Sequence, residues 1–147
     1  MNGPATLPSV PPVGPGRRRL GLWGPVAAYM VLIFVLSGMS SPPTPAGWND
    51  KVEHLFGYGV LGLVTLRATA GGVLSGVTGG AAVAAWVIAT AYGVTDEYHQ
   101  SFVAGRSPDS ADVMADALGA LAIIAPVWAF GIIARSRHST GAASRRR

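Results

Sequence analysis

The stretch Thr95–Asp116, TDEYHQSFVAGRSPDSADVMAD, packs Asp96, Glu97, His99, Gln100, Arg106, Asp109, Asp112 and Asp116 into one short span between two strongly apolar segments. Working outward from it, the chain contains four apolar runs of about 20 residues, the length that a bilayer core requires of a helix. Half of the 147 residues are hydrophobic and only 12% are charged, and the mean hydropathy is +0.39. That balance belongs to a membrane protein rather than to a small globular domain. The expected fold is therefore all-α: a polytopic membrane protein of four transmembrane helices in a small bundle with flexible termini.

The punctuation of the sequence sets the helix limits. Residues 1–19 read as a tail, Pro- and Gly-rich to Gly16 and ending in Arg17, Arg18 and Arg19. The run from Leu20 to about Met39 lacks a small-x-small cleavage site and reads as a retained first span, with Pro25 in its opening turns. Ser40–Trp48, SSPPTPAGW, is a Pro-rich loop. Asn49 or Asp50 can cap a second helix running to about Ala70, with Trp48 as an interfacial anchor. After the Gly-rich loop 71–80, a third helix is expected from about Ala81 to Ser101. Ser107 as N-cap, Pro108 in the first turn and Asp109 at the positive end of the dipole predict a fourth helix to about Ala134, bent at Pro126. The domain is thus 20–134, and residues 135–147 form a basic C-terminal tail.

Orientation follows from basic residues. Nine of the eleven, Arg17 to Arg19, Arg67, Arg135, Arg137 and Arg145 to Arg147, fall on the side carrying both termini, and only Lys51 and Arg106 on the other. The positive-inside rule makes both termini cytoplasmic. It also explains the overall charge of +4 without nucleic acid, since the basic residues form no stripe interleaved with aromatics. All seven acids, Asp50, Glu53, Asp96, Glu97, Asp109, Asp112 and Asp116, then lie at one extracytoplasmic mouth with His54 and His99. Against Lys51 and Arg106 they leave that mouth at minus five. Crowded carboxylates must share protons, bind a cation or stay hydrated.

Helical spacing aligns Asp50, His54, Gly57, Tyr58, Leu61 and Thr65 on one face of the second helix. It makes Ala81, Ala85, Ala89 and Gly93 a small-residue row on the third, continued by Glu97, and places Asp112, Asp116, Gly119 and Ile123 together on the fourth. Asp116 falls below headgroup level, where a carboxylate costs about 2.5 to 3.5 kcal/mol unless it faces protein or water. It is expected to point inward.

DKVEH at Asp50–His54 with Tyr58, TDEYHQSF at Thr95–Phe102, GRS at Gly105–Ser107 and DVMADALG at Asp112–Gly119 resemble, in series, the VanZ-like family of small bacterial membrane proteins, over about Leu20 to Ala134. Two positions depart from the family pattern: Ala104, where members often carry Pro, and Asp116, where they often carry Asn. The resemblance implies a protein of the cell envelope in the bacterial cytoplasmic membrane. The family takes its name from a protein associated with teicoplanin resistance. It implies no particular reaction.

Three uses of the cluster follow from its residue types. A binding site would draw on Asp50, Lys51, His54, Tyr58, Asp96, Glu97, His99, Gln100, Arg106, Ser107, Asp112 and Asp116, with Lys51 and Arg106 on an anionic group and the acids on a cationic or hydroxylated one. Its ligands would be a membrane lipid, a lipid-linked wall precursor or a glycopeptide. An enzyme would use His54, Glu97 and Asp112 as catalytic groups. His54, Glu97, His99, Asp112 and Asp116 are imidazole and carboxylate donors suited to a divalent ion, the one cofactor the residues suggest; no HExxH signature accompanies them. The motifs of membrane lipid phosphatases are missing. A structural use is the third: Asp109, Glu53 and Tyr98 serve caps and packing, and Arg106 pairs with Asp109 or Glu97. Ser37 and Thr90 bond to their own helix backbones, and the small-residue row can also mediate a homo-oligomer.

Overall fold

The computed structural model describes residues 14–144, with side chains to Ile132. The expected tail at 1–13 and the residues Arg145–Arg147 lie outside the described residues. Four helices and no strand occur among those described: α1 (Pro15–Ser37), α2 (Asp50–Thr69), α3 (Gly79–Gln100) and α4 (Ser110–Ser144).

Local chemistry explains most of the boundaries. Pro15 opens α1, where its fixed φ suits a first turn and its missing N–H is not needed, so Arg17 to Arg19 are helical instead of preceding the helix. The Asn49 side chain accepts from the Val52 amide at 3.0 Å and the Thr78 hydroxyl from the Ala81 amide at 3.1 Å, two N-caps. One boundary differs from the sequence expectation. α4 is capped by Asp109, whose carboxylate accepts from the Ala111 amide at 2.8 Å, leaving Ser107 and Pro108 in the preceding loop. The reason is tertiary, because the Asp109 amide is itself drawn to Glu97 of α3. α4 also continues in helical form to Ser144, beyond the expected end near Ala134.

Two helices are long and apolar enough to cross a membrane: α1, with a best-window mean hydropathy of 2.0, and Ser110–Ile132 of α4, at 1.9. α2 and α3 are built differently. Both are rich in Gly and Ala and both carry acids at the same end of the molecule, which lowers their hydropathy without shortening them.

α2 is the central element. It packs most extensively against α4, then α3, then α1, while α1 touches α2 and α3 but not α4. Leu61, Leu66, Val77, Ala85, Ala89, Ala120 and Ile124 form the fully buried core. Glycine sets the distance between helices: a Cβ on Gly62 would lie 2.9 Å from the Ala120 Cα, one on Gly119 would strike the Leu55 carbonyl, and one on Gly93 would strike the Asp116 carboxylate. The row on α3 is therefore the surface against which α4 packs its acid. On α4 the expected face bends at its last member, since Ile124 is buried and Ile123 is 37% exposed.

Candidate functional site

The register of α2 against α4 brings the acidic motifs together. Lys51, in the first turn of α2, donates to Asp109 at 2.7 Å and to Asp112 at 2.8 Å. One turn deeper on both helices, His54 Nδ1 meets Asp116 Oδ1 at 2.9 Å, and both residues are buried. Asp116 thus points inward as its depth requires, and an imidazole is the partner its burial demands. Its second oxygen, packed at Gly93, makes no hydrogen bond.

α3 joins through its last turn. Glu97 Oε2 accepts from the Asp109 amide at 2.8 Å, while its Oε1 is buried without a partner. The Lys51 ammonium and the Ala111 amide together hold the Asp109 carboxyl below the ordinary carboxylate range. On the other flank of α3, Asp96 accepts from Ser37 of α1 at 2.6 Å and from Gln100 at 3.2 Å. Arg106 then bridges Gln100 Oε1 at 3.1 Å and Asp50 Oδ1 at 3.3 Å, closing a chain of polar groups from α1 back to α2. The loop supplying Arg106 turns at Gly105 (φ 82°), with the Arg106 amide donating to the Val103 carbonyl at 3.1 Å. Ala104 and Gly105 are the two central residues of that turn, the first a position where proline fits well.

Most of the residues singled out in the sequence converge here, with two exceptions and one addition. His99 turns toward α1 and stacks on Phe34, with ring centroids 4.0 Å apart. Ser107 is exposed in the loop. Ser37 is the addition: its hydroxyl reaches Asp96 across the α1–α3 interface as well as its own helix at Phe34. A serine near the end of an apolar helix reads as a backbone partner, so no sequence signal marks this role. Arg106 pairs with Asp50, and neither Asp109 nor Glu97 is its partner. Asp50, His54 and Asp112 each offer a ligand atom within 4.8 Å of the others, the one such group among the described residues able to hold a metal ion.

Beside this network a cavity of about 450 Å³ opens between α1, the Pro-rich loop and α2. Its polar end is formed by Ser37, Asp50, Glu53, His54, Asp96, Gln100 and Arg106. The rest of its wall is apolar and aromatic, including Leu32, Ile33, Leu36, Trp48, Phe56 and Val60.

These residues sit on the motifs that a family model spans. The VanZ/LLP1 family model matches residues 26–131, most of the chain. The chain belongs to the VanZ/LLP1 family. No curated protein and no solved structure matches it. The VanZ/LLP1 match takes in α2, α3, the loop carrying Arg106 and the first part of α4, and it begins within α1 at Val26, the one buried apolar residue of that helix.

Proposed function

We propose that this VanZ/LLP1 protein is a four-span membrane protein of the cell envelope that binds an amphipathic ligand at an extracytoplasmic polar cluster. The ligand's head lies among Asp50, Glu53, His54, Asp96, Gln100 and Arg106, and its apolar part lies along α1 and α2. The carrying observation is the cavity, whose polar end and apolar wall match the two halves of such a molecule. A membrane lipid, a lipid-linked wall precursor and a lipid-bearing glycopeptide all have this character. A tie to glycopeptide resistance fits the family.

Several features support the four spans. α2 and α3, at 20 and 22 residues, extend roughly 30 Å, the thickness of a bilayer core. Their outer faces expose Phe56, Val60, Leu63, Val83, Val87 and Val94, a surface suited to lipid and costly in water. Arg18 donates to the Gly71 carbonyl and Arg67 to the Gly21 carbonyl, so these basic residues gather at the end away from the acids. A cysteine at Ser107 should react with an impermeant thiol reagent in intact cells and one at Ser75 should not; the reverse pattern would overturn the orientation. The absence of native cysteine makes the assay direct. Binding is tested by filling the cavity: Gly57 lines it and has nothing within 4 Å of a built Cβ. Gly57→Leu should fold normally and lose lipid that co-purifies with the native protein, and unchanged retention would count against the reading.

A second reading, an enzyme using a divalent ion, draws on the Asp50, His54 and Asp112 group. The His54–Asp116 pair would orient the imidazole, as partners of metal-bound histidines do. A stoichiometric ion in the purified protein that disappears in His54→Ala would favour this reading.

A further inference from the structure

The two cations that a sequence reader would assign to an anionic head are both engaged. Lys51 bridges Asp109 and Asp112 and is not part of the cavity wall, and Arg106 bridges Asp50 and Gln100. The cavity's polar end holds three carboxylates, Asp50, Glu53 and Asp96, against one guanidinium. It is therefore at minus two with His54 neutral and minus one with it charged, and an anion placed there would meet net repulsion. One acceptor of the wall is also left open. Glu53 Oε1 is a buried oxygen with no hydrogen-bond partner, and the Tyr58 hydroxyl, in a residue only 2% exposed, is also unpartnered and can either donate or accept. Both residues line the cavity. A buried carboxylate oxygen without a donor keeps its desolvation penalty, so a ligand that supplies N–H groups to it is favoured over one that supplies only acceptors.

We propose that the cavity selects the primary ammonium head of an amphipathic lipid, which enters sideways between α1 and α2. The inference rests on the reading of the cavity as a ligand site in the membrane and names the class of head it takes. An ammonium carries three donors and a positive charge, which answers both the surplus of carboxylates and the open acceptor on Glu53. Trp48 and Phe56, tilted against each other with ring centroids 4.8 Å apart at the wall, add aromatic surface that is attracted to a cation. A side entrance follows from how α1 is attached. Only Val26 and Ser37 of α1 are buried, and its ties near the cavity are the Ser37–Asp96 bond and the Tyr92 hydroxyl donating to the Met30 carbonyl at 2.6 Å. Both lie on its α3 side, and at the level of the cavity no hydrogen bond among the described residues joins α1 to α2; the bond between those two helices, from Arg67 to the Gly21 carbonyl, lies at the far end. A quaternary choline head carries the charge without the donors, and a glycerol head on a phosphate carries hydroxyls with a net negative charge. These three heads separate the contributions.

The test is lipid binding by native mass spectrometry on the purified full-length protein, titrated with phosphatidylethanolamine, phosphatidylcholine and phosphatidylglycerol of the same acyl chains. Phosphatidylethanolamine should bind roughly tenfold or more tightly than either of the others, the ratio expected of one charge-assisted hydrogen bond. Glu53→Gln, which keeps size and one acceptor, should reduce that preference to about threefold or less while leaving the melting temperature in place. Gly57→Leu should remove binding of all three. Equal binding of the three heads, or preference for phosphatidylglycerol, with Gly57→Leu still abolishing it, would overturn the ammonium assignment and leave the ligand site intact. Binding that Gly57→Leu does not affect would overturn the site itself.

Discussion

The α2–α4 seam and the α1–α2 groove share one helix and differ in almost everything else. At the seam, Gly62 lies against Ala120 and Gly119 lies against the Leu55 backbone, with no room for a methyl group. Below the polar end of the groove, Gly57 faces a cavity and has nothing within 4 Å. The seam is tied by Lys51 and His54 to three carboxylates of the α4 end, whereas the hydrogen bonds of α1 go to α3, to Arg67 at the far end of α2 and to the Gly-rich loop at Gly71. The same residue type on the same helix thus serves close packing on one side and open volume on the other. α2, α3 and α4 pack closely around the charged groups, and α1, buried only at Val26 and Ser37, supplies one wall of the cavity.

The strongest way to break this contrast is to add one methyl on each side. Gly119→Ala should cost about 1–3 kcal/mol or more because the obstacle is backbone, which cannot turn aside, while Gly57→Ala should leave the melting temperature unchanged within a degree or two. Thermal unfolding in one detergent checks both, and equal effects would mean that seam and groove are equally packed.

Next in size is the buried pair. Asp116→Ala leaves His54 without its partner and should destabilise by about 1–3 kcal/mol. Asp116→Asn keeps an oxygen to accept from Nδ1 and should cost less than half as much, in keeping with the family's frequent Asn. Similar losses in the two variants would show that the charge, not the hydrogen bond, matters.

Lys51→Ala tests the top of the seam, where Asp112 is buried and Asp109 is exposed. The variant should melt at lower temperature than the native protein. The acid response should change as well. Because the Asp109 carboxyl is held below its ordinary value of 3.8, its contribution is fully present above that pH and is lost as pH falls through the lower folded value. Without Lys51 the folded value returns toward the ordinary one and most of that contribution disappears, so the fall in melting temperature as pH drops below about 4 should be shallower in the variant than in the native protein, and melting curves from about pH 6 down to about pH 2, which bracket the carboxylate values, would show it.

The smallest effect concerns the loop. Ala104→Pro restricts φ just before Gly105 without removing a recorded hydrogen bond, so it should stabilise by about 0.4–1 kcal/mol. A loss of stability would show that Ala104 adopts a backbone unlike the first central position of that turn.

The sequence carried the four helices because the Pro-rich loop, the Gly-rich loop and the caps at Asn49 and Asp109's neighbourhood are local signals. It carried the inward aim of Asp116 because burial of a carboxylate is a strong constraint. The cap of α4 was displaced from Ser107 to Asp109 because Glu97 claims the Asp109 amide and Lys51 its carboxylate, both from other helices. The backbone bond expected of Ser37 is present at Phe34, but its second partner stayed hidden for the same reason: Asp96 is 59 positions away. His99 sits one residue from Tyr98 and two from Glu97, and only the packing of α1 decides that its ring stacks on Phe34. Residue types announced the cluster, and helix-to-helix register chose its pairs.

Trp48 has a practical consequence. The protein contains four tryptophans, and Trp48 is the one whose indole lines the cavity. Trp86 is fastened to the Ala117 carbonyl at 3.0 Å, and Trp128 lies beside Gly79 at the opposite end of α3. Indole emission responds to the polarity and hydration around the ring, so the molecule carries a built-in optical gauge where a ligand would displace water. With Trp23, Trp86 and Trp128 changed to phenylalanine, the remaining signal would report occupancy of that space alone, turning the search for a ligand into a titration that needs no label and no assay of turnover.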